Sequence, residues 1–198
     1  WFLLKSKINE RGVGIIGDLP FYVAPESVDV WANREDFQID GDFNIKAVAG
    51  VPPDAFAAGG QIWGNPLYDI EHMRANGFKW WRKRVSHCLK IYDTLRLDHF
   101  RAFYNYFSIP VGEDTAQNGH WEPGAGMELV NLIKADNKNA QIIVEDLGLI
   151  CEDVIDFIKQ TGFPNMKVFQ FGFDSTDSAH LPHNYDINSV AYTGTHDN

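Results

Sequence analysis

Five short apolar runs recur along the chain with segments of helical periodicity between them, and four of the five close on charged residues. The runs lie at 13–20, 94–98, 141–148, 166–173 and 189–198. Around them, Phe2, Leu3, Leu4 and Ile8 read as the tail of a helix stopped near Gly12. Trp81, Val85, Cys88, Leu89 and Tyr92 fall at helical spacing, 127–135 rests on Met127, Val130 and Ile133, and Val154, Ile155, Phe157 and Ile158 mark a further helix before Gly162. Strands alternating with helices at this spacing predict parallel strands joined by right-handed crossovers. A (β/α)8 barrel best accounts for polar residues gathering where strands end, because sites of that fold are built at the C-terminal ends of its strands. A doubly wound open sheet is the second choice. No G-x-G-x-x-G opens a helix, and no G-x-x-x-x-G-K-[ST] loop is present to cradle phosphate.

One long stretch departs from the alternation. From 24 to 79 the periodicity gives way to turn-rich sequence such as Asp40-Gly41-Asp42, Val51-Pro52-Pro53-Asp54, Ala58-Gly59-Gly60 and Gly64-Asn65-Pro66. It reads as a loop-rich insertion over 24–79, an excursion whose length has function as its expected reason.

The strand ends carry the chemistry. They bear Asp18, Arg96 with Asp98, Glu145 with Asp146, and His196 with Asp197. Arg96 and Asp98 stand two apart and so share one face of an extended strand. Alone, that pair favours a buried structural ion pair over a site; the repetition at four strand ends reverses this in favour of a shared site. Converging carboxylates admit divalent-metal binding or acid/base work on a neutral substrate. Arg96 opposes a dication and no H-x-x-x-H or C-x-x-C pairing supplies ligands, so neither a metal nor another cofactor is expected. A net charge of -10 argues against nucleic acid and anionic membrane surfaces as partners. A retaining glycosidase-type site needs one ionised and one protonated carboxyl, about 5–5.5 Å apart. Arg96 is expected to keep Asp98 ionised as nucleophile, and the apolar Ile142-Ile143-Val144 run to raise Glu145 as acid/base.

Six motifs in order then carry a resemblance: Gly17-Asp18-Leu19-Pro20, Ala49-Gly50-Val51-Pro52-Pro53-Asp54, Trp63-Gly64-Asn65-Pro66-Leu67-Tyr68, Arg96-Leu97-Asp98-His99-Phe100-Arg101, Glu145-Asp146-Leu147-Gly148 and Tyr192-Thr193-Gly194-Thr195-His196-Asp197-Asn198. They resemble those of the amylomaltases, 4-alpha-glucanotransferases related to the alpha-amylase clan. The resemblance implies that 1–198 is the central part of a catalytic TIM barrel, an internal fragment covering about strands three to seven, with 24–79 a substrate-binding insertion after strand three, since it spans the middle of a family chain. It implies retaining transfer of alpha-1,4-glucan segments among maltooligosaccharides or glucans derived from starch and glycogen. On this resemblance Asp98 is the nucleophile, Glu145 the acid/base and Asp197 the third carboxylate, with Arg96 and His196 as supports. Asp54, Gln61, Trp63 and Asn65 fall where the family places a mobile loop over the acceptor side, Phe56 is the stacking candidate there, and Asp18 is a further substrate contact. Ala55 stands where some members have tyrosine, and Ala102 where many have glycine.

Other readings remain beside this one. Asp18 equally suits an internal pair, Asp146 points to the opposite face and reads as structural, and Trp80 and Trp81 read as core. An alpha-glucan hydrolase and an inactive glucan-binding module are the competing functions. Cys88 and Cys151 suggest no disulfide framework, so a reducing, cytoplasmic location is expected. Five strands of an eight-stranded barrel leave two edges unpaired, so residues 1–198 alone are expected to be insoluble or inactive.

Overall fold

The computed structural model describes residues 1–54, 57–148 and 150–196, with Asp174 described by its backbone alone. In chain order the elements are α1 (Phe2–Asn9), β1 (Ile16–Leu19), α2 (Val28–Ala32), β2 (Ala47–Val51), β3 (Gln61–Pro66), α3 (Ile70–Ala75), α4 (Lys79–Ile91) and β4 (Thr94–Leu97). There follow α5 (Arg101–Tyr104), β5 (Asn105–Pro110), β6 (His120–Pro123), α6 (Gly126–Asp136), β7 (Gln141–Val144), α7 (Glu152–Thr161), β8 (Asn165–Val168) and β9 (Ser189–Tyr192). They fall into two units, one formed by 1–19, 88–100 and 139–198, the other by 20–87 and 101–138.

The first unit holds a five-stranded parallel sheet in the order β1-β4-β7-β8-β9. Its central strands are short and apolar, with Leu95, Leu97, Ile142, Ile143, Val144, Met166 and Val168 all buried, the pattern of parallel strands covered on both faces. α7 stops at Gly162, whose φ of +69° gives the left-handed cap that ends the helix. Gly17 in β1 is required by a neighbour: a Cβ built there would lie 2.0 Å from the Tyr92 ring. Tyr92 is held in turn by Trp1, which packs edge-on against it and donates its indole N–H to the Ile91 carbonyl. Asp93 ties the entry of β4 to α1, accepting from Ile15 N and Asn9 Nδ2 at 2.8 Å each and pairing with Lys5 at 2.6 Å.

Strands are shorter than the apolar runs. The run 166–173 is strand only as far as Val168, and 169–174 coils into a 3-10 turn. The exchange is local: Val168 N donates to His180 Nδ1 at 3.1 Å, and Phe169 and Phe173 pair with each other edge-to-face at 5.0 Å. Likewise residues 193–196 lie outside the strand, which ends at Tyr192.

The second unit contains the whole turn-rich stretch, and there the structure holds more regular elements than turn signals convey. β3-β2-β5-β6 form an antiparallel sheet, with β2 pairing β3 through a register shift between Val48 and Gly50. Gly50 sits in that irregularity because a Cβ would meet the Gln61 carbonyl oxygen at 2.1 Å. A glycine within the turn-rich stretch thus marks two strands in close approach. Caps fix the helices around the sheet: Ser27 Oγ accepts from Val30 N and Asp69 Oδ1 from His72 N. The core is aromatic. Phe21 packs against Tyr68, Trp81 and Phe103 at centroid distances of 5.2–5.3 Å, and Trp80 and Trp81 are both buried. Among the described residues no helix is long and apolar enough to cross a membrane.

Candidate active site

Asp18 and Arg96 are register partners in β1 and β4, so their side chains leave the parallel sheet on one face. Arg96 Nη1 donates to both carboxylate oxygens of Asp18 at 2.7 and 2.8 Å and meets Asp98 Oδ1 at 2.8 Å. Asp98 lies just past β4 yet remains in the ladder, because its N–H donates to the Leu19 carbonyl at 3.0 Å. The guanidinium is buried. Burial works against its charge, and the hydrogen bond to Asp18 with the carboxylates of Asp98, Asp18 and Glu145 outweighs that, leaving Arg96 above its ordinary range. Its Nε–H points the other way, to Met166 Sδ in β8 at 3.2 Å.

Glu145 directly follows β7 and is fastened by its main chain to the turn that follows β4. Its N–H donates to the Leu97 carbonyl at 2.9 Å, and its carbonyl accepts from Phe100 N at 3.2 Å. The side chain bridges that turn and its own segment: Oε2 accepts from His99 N at 2.8 Å, while Oε1 accepts from Leu147 N. His99 adopts φ +46°, left-handed backbone that few non-glycine residues occupy. Burial is the main force on the Glu145 carboxyl and pushes it up to about 7. The Leu147 bond works against this, Asp98 adds to it, and Arg96 and the His99 bond oppose it. The result is an acid poised near neutrality beside a carboxylate engaged by a guanidinium.

Asp146 projects to the other side and holds the sheet together. It accepts from Met166 N at 3.0 Å and Asn165 Nδ2 at 2.8 Å, extending the β7–β8 pairing beyond Val144 and Asn165. His196, in the turn after β9, is exposed with Nε2 3.8 Å from Asp18 Oδ2. Among the described residues no three His, Cys, Asp or Glu side chains are arranged to hold a metal ion.

The first unit therefore brings together five of the expected site residues: Asp18, Arg96, Asp98, Glu145 and His196. Asp54, Gln61, Trp63 and Asn65 belong to the second unit. There Asp54 Oδ1 accepts from Ala57 N at 2.7 Å, and the Trp63 indole donates to Gln61 Oε1 at 3.0 Å on an exposed stretch of β3. The Asn65 amide donates to the Val23 carbonyl at 2.9 Å, a structural tether. Phe56, with its neighbour Ala55, and Asp197 lie outside the described residues. Sequence reasoning missed Met166 and the amides of His99 and Leu147. A methionine in an apolar strand looks like core, and a backbone donor leaves no mark on residue type.

A family model described as 4-alpha-glucanotransferase matches residues 1–198. Among similar curated proteins, the 4-alpha-glucanotransferase of Clostridium butyricum is 48% identical over the whole chain, which covers 41% of that protein. The chloroplastic/amyloplastic 4-alpha-glucanotransferase of Solanum tuberosum is 43% identical, with 34% of it covered. The amylomaltase of Streptococcus agalactiae, solved in complex with acarbose, superposes with a TM-score of 0.96 at 45% identity over 100% of this chain and 40% of that one. The amylomaltase of Corynebacterium glutamicum, 22% identical, shares the fold at a TM-score of 0.85 over 98% of this chain and 27% of that one. The chain thus spans about two fifths or less of the length of these curated relatives.

Proposed function

The chain belongs to the 4-alpha-glucanotransferase family, and from that premise we propose that the protein containing it transfers alpha-1,4-glucan segments between maltooligosaccharides or starch- and glycogen-derived glucans, with retention of configuration. Asp98 attacks the anomeric carbon of the donor while Glu145 gives its proton to the departing glycosidic oxygen. The glycosidic bond breaks and a glucosyl ester forms on Asp98. Glu145, now ionised, takes the proton from the 4-hydroxyl of the acceptor as that oxygen attacks the same carbon and displaces Asp98. Two inversions restore the original configuration.

The observation that carries this reading is the difference between two carboxyls in one site. Asp98 faces the Arg96 guanidinium at 2.8 Å, whereas Glu145 is buried and raised to about 7. The first suits a nucleophile that stays ionised, the second an acid that still holds its proton near neutral pH. Asp197 serves as the third carboxylate beside His196, and Asp18 and Arg96 complete the charged floor of the donor subsite. In the second unit, Asp54, Phe56, Gln61 and Trp63 contribute glucan contacts, and Asn65 supports that stretch by holding the Val23 carbonyl. The parallel strands β1, β4, β7, β8 and β9 are then strands three to seven of a (β/α)8 barrel, residues 1–198 are the middle of the catalytic domain, and 24–79 is its substrate-binding insertion. The setting is cytoplasmic carbohydrate metabolism.

Incubating the full-length protein with maltotriose tests the reading. Glucose together with maltooligosaccharides longer than the substrate is the expected outcome. Reducing ends without lengthened products would make it a hydrolase, and glucan binding without turnover a binding module. Asp98→Ala is expected to abolish transfer while glucan binding persists; transfer at the native rate removes Asp98 from its role.

A further inference from the structure

We propose that Met166 is a positioning residue for this transfer: its thioether accepts the Nε–H of Arg96 and thereby sets the direction in which the guanidinium presents Nη1 to Asp18 and Asp98. The inference rests on the transferase reading for its kinetic consequence, and on geometry alone for the contact.

Arg96 lies on the face of the sheet with its two ends engaged differently. Nη1 meets three carboxylate oxygens within 2.7–2.8 Å, two on Asp18 and one on Asp98. Nε turns toward β8 and meets Met166 Sδ at 3.2 Å. A guanidinium is planar, so anchoring Nε settles the roll of the whole group and hence where Nη1 points.

The chemistry of the acceptor matters as much as its place. A thioether is neutral and a weak acceptor. It satisfies a buried donor without adding a third negative charge to compete with Asp18 and Asp98 for the cation. An isosteric hydrocarbon would leave the donor facing carbon, and a carboxylate would draw the guanidinium toward β8. Methionine is ordinarily an adaptable side chain, but this one is 1% exposed on a backbone fixed from both sides. Its N–H donates to Asp146 Oδ1 at 3.0 Å, and it pairs with Val190 in β9. Asp146, adjacent to the acid/base residue in sequence, thus holds the strand that holds the arginine.

Two variants of the full-length protein separate this from simple packing. Met166→Leu keeps the approximate volume and removes the acceptor; Met166→Gln supplies a neutral acceptor at similar reach. In maltotriose disproportionation the leucine variant is expected to lose about tenfold in kcat with a smaller change in KM, since the thioether touches the arginine and not the sugar. The glutamine variant is expected to recover most of that loss. Hydrogen exchange at the Arg96 Nε–H, followed by nitrogen-15 NMR, reads the contact without any turnover: slow in wild type and in Met166→Gln, fast in Met166→Leu. Wild-type kcat and slow exchange in the leucine variant overturn the proposal. So does a folded glutamine variant whose kcat lies about tenfold or more below wild type, and that criterion stands even if Met166→Leu fails to fold. A wild-type protein that yields no lengthened products defeats the transferase reading instead, and the exchange contrast still decides the contact.

Discussion

The backbone N–H of His99 donates to Oε2 of Glu145 at 2.8 Å, and His99 reaches that position only by holding φ at +46°. The residue after the proposed nucleophile therefore orients the proposed acid/base through its main chain. Substitutions at this position should divide by backbone tolerance. Glycine occupies left-handed backbone without strain, while a β-branched residue there is an outlier. His99→Gly is expected to keep kcat within about tenfold of wild type, whereas His99→Val loses on the order of a hundredfold or more, as small misplacements of catalytic groups do. Steady-state transfer kinetics on the two full-length variants would decide it, and equal losses would show that the imidazole matters more than the turn.

Burial raises Glu145 from an ordinary 4.5 to about 7. Between those values the native state holds a proton that the unfolded chain has released, so stability falls as pH rises through that window and levels off above it. The size is roughly 3 kcal/mol. Asp146 and Asp36, both also raised chiefly by burial, slope the same way. Glu145→Gln, which cannot ionise, is expected to be less sensitive to pH and to gain stability over wild type at pH 8 relative to pH 5. Urea titrations at the two pH values measure the difference, and parallel curves for both proteins would show that Glu145 is already ionised at pH 5. In the wild-type enzyme the same titration predicts transfer rates that decline above about pH 7, where the acid has lost its proton.

Gly17 and Tyr92 form a coupled pair. A Cβ at Gly17 would sit 2.0 Å from the ring carbon Cδ2 of Tyr92. Gly17→Ala is expected to destabilise by about 2 kcal/mol, as overpacking of a tight contact does. Because Gly17 precedes Asp18, activity should drop with stability. Adding Tyr92→Ala removes the obstruction, so the double variant should be more stable than the sum of the single losses predicts. Strict additivity in denaturant melts would mean that the strand moves aside instead.

Asn65 and Trp63 are neighbours on β3 with different tasks. The Asn65 amide holds the Val23 carbonyl, and Asn65→Ala is expected to lower stability by about 1 kcal/mol through the lost bond. Trp63 is partly exposed, edge-on to Tyr22 and hydrogen-bonded to Gln61. Trp63→Ala should instead raise KM for maltooligosaccharides with a smaller shift in melting temperature. A KM unaltered by Trp63→Ala would remove that ring from the glucan contacts.

What could be read from residues alone follows from how strands advertise themselves. Leu95 and Leu97 flanking Arg96, and Ile142-Ile143-Val144 before Glu145, are apolar runs that end abruptly in charge, and the structure puts those charges together on one sheet. The second unit was less legible. β2 and β5 pair although separated by more than fifty positions in sequence, and Gly50 lies at a register shift between strands inside a stretch that carries mainly turn signals. Phe169 and Phe173 lengthened an apparent strand that stops at Val168, since aromatic residues that pair with each other look like strand in sequence. Met166 stayed hidden because its partner is a polar atom that methionine seldom attracts.

The pairing of Asp18 with Arg96 across β1 and β4 also bears on how the sheet is assembled. Side chains alternate along a strand, so a slip of one residue would carry Asp18 to the opposite face and strip its charge from a buried guanidinium. Such a misaligned sheet would keep its backbone bonds and much of its apolar burial, yet suffer a large electrostatic penalty. The same two charges proposed to cradle a sugar thus serve as a checksum on strand register while the protein folds.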